Sequence, residues 1–162
     1  MKNPNHAYIE RVNRLVNHSP YFSLLSMKIV DIGVGYSHLD IDIGQKHLQP
    51  FGLVHGGVFA SIIDAAAFWA TYYDIEDQND GLTTVDLKLN YLAPATSGKL
   101  IAKGRRIKLG KTLGYAEAEV RSETGKILAH GTSTLMIQHG KGLTDDPPLP
   151  PKFSVYANGI KP

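Results

Sequence analysis

Apolar and polar positions repeat with two different periods along this chain, and the period marks the elements. Over residues 5–17, Ile9, Val12, Leu15 and Val16 stand three or four apart with Glu10, Arg11, Asn13 and Arg14 between them, the spacing of a short amphipathic helix. Ser19 and Pro20 are expected to end it, because a proline steers the residue before it out of helical geometry. From Leu24 to Ile43 the period falls to two, most plainly in His38-Leu39-Asp40-Ile41, and a turn around Gly33 and Gly35 predicts a β-hairpin. A polar, proline-containing connection follows, and then residues 57–73 make an alanine-rich run long enough for a helix.

Strands are predicted over residues 83–91, 99–109, 112–122 and 127–138, with turn signals around Pro94 to Gly98, Gly110, and Glu123 to Gly125. The short connections leave no room for helical crossovers. The fold class is therefore α+β: a largely antiparallel sheet with one helix inserted after the first hairpin, preceded by a short N-terminal helix. Residues 1–139 read as one domain. Residues 140–162 contain Pro147, Pro148, Pro150, Pro151 and Pro162 and predict an extended tail, either disordered or packed on a neighbouring subunit.

Composition narrows the function classes. With 162 residues, 43% hydrophobic and 20% charged, the chain can bury a core of its own. Its net charge of +2 is far below that of a dedicated nucleic-acid binder, so no nucleic-acid partner is expected. There is no cysteine, which removes disulfides, thiolate metal sites and a cysteine nucleophile, and fits a reducing, cytoplasmic setting. No stretch approaches the ~20 apolar residues of a membrane span, and the N-terminus lacks the apolar run of a signal peptide. The histidines at 6, 18, 38, 47, 55, 130 and 139 show no HxxxH or HxH spacing, so no metal is expected. Gly110-Lys111-Thr112 lacks the glycine five positions earlier that a phosphate loop needs, since Arg105 stands there, and no GxSxG elbow is present.

One residue breaks the pattern. In the run VFASIIDAAAFWATYY, apolar residues occupy every side of the helical wheel, as in a helix surrounded by protein, and Asp64 sits in the middle. A buried carboxylate is costly unless it finds a hydrogen-bond partner, a raised pKa or an opening to a ligand. Immediately before the helix, His55-Gly56-Gly57 would let a ligand approach the first unpaired N–H groups, where the helix end suits an oxygen that becomes negative. A tight entry turn is the other reading of that glycine pair.

The stretch Gln49-Pro50-Phe51-Gly52-Leu53-Val54-His55-Gly56-Gly57, with Asp64 nine positions after His55, resembles the signature of hotdog-fold acyl-CoA thioesterases. The phenylacetate-pathway and 4-hydroxybenzoyl-CoA types are the most similar groups. Residues 84–95 and 107–111 are similar to the same family, and the resemblance spans roughly residues 20–138. It implies a hotdog fold, a sheet wrapped around one central helix, and hydrolysis of a thioester to a free acid and coenzyme A without a cofactor, coenzyme A being part of the substrate. It further implies that Asp64 serves as nucleophile or general base, that Gly57 or Gly56 binds the carbonyl oxygen, and that His55 supports that loop or the thioester. Gln49 would orient water or substrate, and Thr84 would hold the attacking water. Phe68 stands where relatives carry small residues, so it either narrows the acyl pocket or fills the core. Arg106, Lys108 and Lys111, with Arg105, form a basic cluster that could meet the phosphates of coenzyme A or simply face solvent.

Helical geometry adds a constraint of its own. Seven residues at 1.5 Å each place Asp64 about 10 Å beyond Gly57, too far for one thioester carbon to contact both. A composite site answers this, with Asp64 of one subunit facing His55, Gly57 and Gln49 of another. The expectation is an obligate homodimer, or a dimer of dimers. The rival functions are a non-catalytic acyl-CoA-binding hotdog protein and a hotdog hydratase.

Overall fold

The computed structural model describes residues 3–154. In chain order the elements are β1 (Asn3–Pro4), α1 (His6–Asn17), α2 (Pro20–Leu25), β2 (Met27–Gly33), β3 (Tyr36–Asp42), a 3₁₀ turn (Gln45–His47), α3 (Gly56–Tyr72), β4 (Gly81–Tyr91), β5 (Lys99–Leu109), β6 (Leu113–Ser122), β7 (Ile127–Gln138) and β8 (Phe153–Ser154). Six strands form one sheet in the order β2-β3-β5-β6-β7-β4, and every neighbouring pair is antiparallel. The predicted class therefore holds: an antiparallel sheet carrying one central helix.

The helix lies on one face of the sheet. Ile62, Ile63 and Ala66 of α3 share a core with Leu39 and Ile41 of β3, Leu100 and Ala102 of β5, and Ala118 and Val120 of β6. Each large aliphatic side chain sealed there stabilises the fold by ~1.5–3 kcal/mol relative to exposure. Close approach is secured at Gly104, where a side-chain methyl would overlap the carbonyl oxygen of Ala66, and the Ser37 hydroxyl donates to that same oxygen at 2.7 Å.

At the N-terminus, Asn5 caps α1 by accepting from the Ala7 N–H at 3.1 Å, and Tyr8, Val12 and Val16 form the buried stripe. Asn17 then bonds both sides of the Ile29 peptide, accepting from its N–H at 2.7 Å and donating to its carbonyl at 3.1 Å. This covers the outer edge of β2, which pairs only with β3 among the described residues.

The expected stop at Ser19-Pro20 is also a start, because Ser19 is the N-cap of α2 and Pro20 its first helical residue. Proline has no N–H to leave unpaired in a first turn and its φ is already helical. The proline-rich tail follows β7. Over residues 140–154 it packs on its own chain, with Leu149 in the core and the buried Lys152 ammonium donating to the carbonyls of Tyr72, the last residue of α3, and Ile75 beyond it, at 2.8 and 3.0 Å. The prolines still keep residues 140–154 out of the main sheet, and among the described residues β8 pairs only with β1. Residues 155–162 lie outside the described residues.

Candidate active site

The central helix is not enclosed on every side within one chain. Gly57, Ala60, Ser61, Asp64, Ala65 and Phe68 remain open or half-buried, and their spacing of three and four draws one seam along α3. The remaining faces are buried from Val58 to Tyr72. Asp64 sits on that seam, so the apolar helix leaves it an opening rather than a sealed pocket.

A cavity of about 420 Å³ opens beside Asp64, walled by Tyr21 and Phe22 of α2, Phe68 and Trp69 of α3, and Leu87 of β4. Thr84 donates its hydroxyl to Asp64 Oδ1 at 2.7 Å. A β-bulge explains why it reaches. The register between β4 and β7 shifts between Thr84 and Asp86, so that Leu82 and Thr84 face the helix before the bulge and Leu87 and Leu89 after it. Burial pushes the Asp64 carboxyl above the ordinary carboxylate range, and the Thr84 bond pulls it partly back. Oδ2 has no hydrogen-bond donor among the described residues, so one carboxylate oxygen is held while the other is open to a base's or a nucleophile's work.

A second cavity, about 550 Å³, lies at the N-terminus of α3 and shares no lining residue with the first. Gln49, His55, Gly56, Gly57 and Tyr91 border it. His55 is the N-cap of α3, and its Nδ1 accepts from the Gly57 N–H at 2.8 Å. A neutral ring that accepts at Nδ1 carries its proton on Nε2, which leaves an N–H donor available to a ligand. The Gly57 amide is thus occupied by the cap. Of the two candidate carbonyl-binding amides, it is Gly56, the first residue of α3, whose N–H has no acceptor among the described residues.

Both glycines also serve the fold. A methyl at Gly56 would come within 3.1 Å of the Tyr91 hydroxyl, which donates to the Gly56 carbonyl, and one at Gly57 would come within 3.0 Å of His55 Nδ1. Gln49 turns its side-chain carbonyl to the Phe51 N–H, closing its own loop, and keeps its amide N–H groups as the donors it can offer the cavity.

The structure therefore brings Asp64, Thr84 and Phe68 together, and separately brings together Gln49, His55, Gly56 and Gly57. Phe68 borders the first cavity and also stacks on Tyr72, ring centroids 5.8 Å apart, so it both limits the cavity and fills the core. Arg106, Lys108 and Lys111 join neither group. β5 runs from Lys99, beside the Ile43–Gly98 backbone bond, toward the opposite end of α3, and Arg106 there pairs with Asp74 just past the helix. Lys108 and Lys111 are exposed near the same hairpin, so the basic cluster sits at the other end of the helix from the His55 cavity of its own chain. Arg105 is engaged by Glu117.

Sequence reasoning missed Tyr21, Ser61 and Tyr91. Ser61 was legible, three residues before Asp64 on one helix face, whereas Tyr21 depended on recognising α2.

Residues 51–129 match the family model described as Thioesterase superfamily. The chain is 26% identical over 114 residues to the 1,4-dihydroxy-2-naphthoyl-CoA hydrolase of Listeria monocytogenes, covering 70% of this chain and 92% of that protein. It is 27% identical over 97 residues to acyl-coenzyme A thioesterase 13 of Mus musculus, covering 59% of this chain and 68% of that protein. A crystal structure of a thioesterase from Haemophilus influenzae superposes with a TM-score of 0.77 at 24% identity, covering 86% of this chain and 96% of that one, which shows a shared fold.

Proposed function

We propose that this chain, whose residues 51–129 match the thioesterase superfamily model and whose fold is the hotdog arrangement of a sheet around one helix, hydrolyses acyl-CoA thioesters at a site shared between two subunits. The observation that carries the reading is Asp64: a half-buried carboxylate with one oxygen fixed by Thr84 and the other free, at the edge of an apolar cavity. A carboxylate in such a place costs stability, and a pocket that merely held an acyl chain would have no use for it. The acyl group lies in the Asp64 cavity. Asp64 Oδ2 attacks the carbonyl carbon as nucleophile, or takes a proton from a water that does, while Thr84 orients the carboxylate.

Charge then develops on the carbonyl oxygen, and the donors suited to it are the Gly56 N–H and the Nε2–H of His55 at the positive end of α3. Those donors belong to the other cavity of the chain. They reach the same carbon when a second copy lays its α3 N-terminus against the Asp64 seam. Support for that docking comes from β4, a sheet edge that pairs only with β7 among the described residues and carries exposed Val85 and Tyr91, with exposed Leu92 just beyond its end. The building block is accordingly a homodimer with two sites.

Thiol release from short-chain, medium-chain and aromatic acyl-CoAs tests the reading. The wild type is expected to release coenzyme A, and Asp64→Ala to lose at least ~10³-fold in kcat, as removal of a nucleophile or base does. Binding without release would make this a non-catalytic acyl-CoA-binding protein. An unimpaired Asp64→Ala would remove Asp64 from the mechanism.

A further inference from the structure

A run of hydroxyl groups leads from the mouth of the Asp64 cavity to the start of α3, and its direction is fixed by chemistry. The Gly57 carbonyl can only accept, so Ser61, whose Oγ lies 2.8 Å from it, spends its single proton there. Tyr21 Oη lies 2.7 Å from the same Ser61 Oγ and must therefore be the donor of that bond. Both protons are used. What the Tyr21 hydroxyl still offers is a lone pair, on a ring that borders the cavity and is 55% exposed.

Charge on the cavity wall is equally one-sided. Among the described residues of its own chain, no lysine, arginine or histidine lines it, and its one ionisable carboxyl is Asp64. An acyl chain ending in a carboxylate would bring a second negative charge beside the first with no cation to offset it.

We infer that Tyr21 is a specificity residue, whose hydroxyl acceptor selects acyl groups carrying an O–H or N–H donor over plain alkyl groups, while the unneutralised Asp64 excludes acyl groups ending in a carboxylate. The inference rests on the reading that the acyl group occupies the Asp64 cavity. It makes Ser61 a positioning residue, because without Ser61 the Tyr21 proton is released and its hydroxyl becomes a donor as well.

Three thioesters of one chain length test it: hexanoyl-CoA, 6-hydroxyhexanoyl-CoA and adipoyl-CoA. In the wild type, kcat/KM for the hydroxyacyl ester is expected to exceed that for hexanoyl-CoA about five-fold, the worth of one neutral hydrogen bond, with adipoyl-CoA lowest. Tyr21→Phe keeps the ring and removes the acceptor, and should bring the hydroxyacyl-to-hexanoyl ratio to about one. Trp69 is the only tryptophan in the chain and borders the cavity, so its fluorescence reports occupancy without turnover.

Titrating the same esters into Asp64→Asn, with and without Tyr21→Phe, measures the hydroxyacyl-to-hexanoyl preference as a ratio of Kd values. If no ester is hydrolysed by the wild type but this Kd ratio persists and collapses on Tyr21→Phe, the hydrolysis reading falls and the selection stands. Hydrolysis with equal kcat/KM for hexanoyl and hydroxyhexanoyl esters, or a ratio that survives Tyr21→Phe, overturns the role of Tyr21 and leaves hydrolysis intact.

Discussion

Asp64 holds two opposed quantities in one side chain. Its carboxyl titrates above the usual range because burial disfavours the charge, more than the Thr84 bond favours it. The sign for stability follows from linkage. An acid whose folded pKa is raised contributes fully below its unfolded pKa, and loses that contribution as pH climbs through the folded value. At neutral pH the ionised carboxylate is therefore a net cost. Asp64→Asn is expected to raise Tm by about 2–4 °C at pH 7, a gain that disappears below the unfolded pKa of ~4. Thermal melts of both proteins across pH 3–8 measure it, and a variant that melts lower at neutral pH would mean the charge stabilises the fold.

This conflict was visible in the sequence, because a charge amid Ile62, Ile63, Ala65 and Ala66 violates the helix's own pattern. Thr84 violated nothing, since threonine is an ordinary strand residue, and only the family resemblance singled it out. Tyr21 carried no local signal at all.

The helix α2 and the bulge in β4 decide which side chains meet Asp64, and neither was legible. Ser19-Pro20 reads equally as the end of α1 and the beginning of α2, and the six residues from Pro20 to Leu25 are too few to show a period. A bulge inserts one residue into an otherwise regular alternation, so the strand was predicted while the switch of its inward face at Val85 was not.

The strands β5 and β7 were legible to the residue, because hairpin turns and hydrophobic alternation agree there. The contact between α1 and β2 shows the same division. Asn17 reads as the polar end of a helix, yet its amide satisfies both backbone groups of Ile29. Asn17→Ala should cost ~1–2 kcal/mol through unpaired backbone groups at a buried residue. Urea denaturation would show it as a lower midpoint at unchanged slope, and an unshifted midpoint would mean that solvent replaces the amide.

Taken as a whole, the chain presents two cavities along one helix, beside Asp64 and at its N-terminus, with Asp64 about two turns beyond Gly57. The seam from Gly57 to Phe68 and the unpaired edge of β4 both end in exposed surface on a single copy. Within the described residues, the tail does not close them. Over residues 140–154 it lies at the other end of α3, where Lys152 meets the Tyr72 and Ile75 carbonyls. Sequence spacing alone carried the argument that Asp64 and Gly57 cannot serve one carbon. The structure adds two cavities without a common lining residue.

Mixing two crippled proteins tests the shared site directly. Asp64→Asn and His55→Ala each disable one half, so both are expected to release little thiol alone. After unfolding and refolding together at equal concentration, half of the dimers are mixed, and each mixed dimer rebuilds one intact site from the Asp64 of one chain and the His55 of the other. The mixture is expected to recover about a quarter of wild-type activity per chain. Activity equal to the mean of the two separate variants would contradict a site built from two subunits.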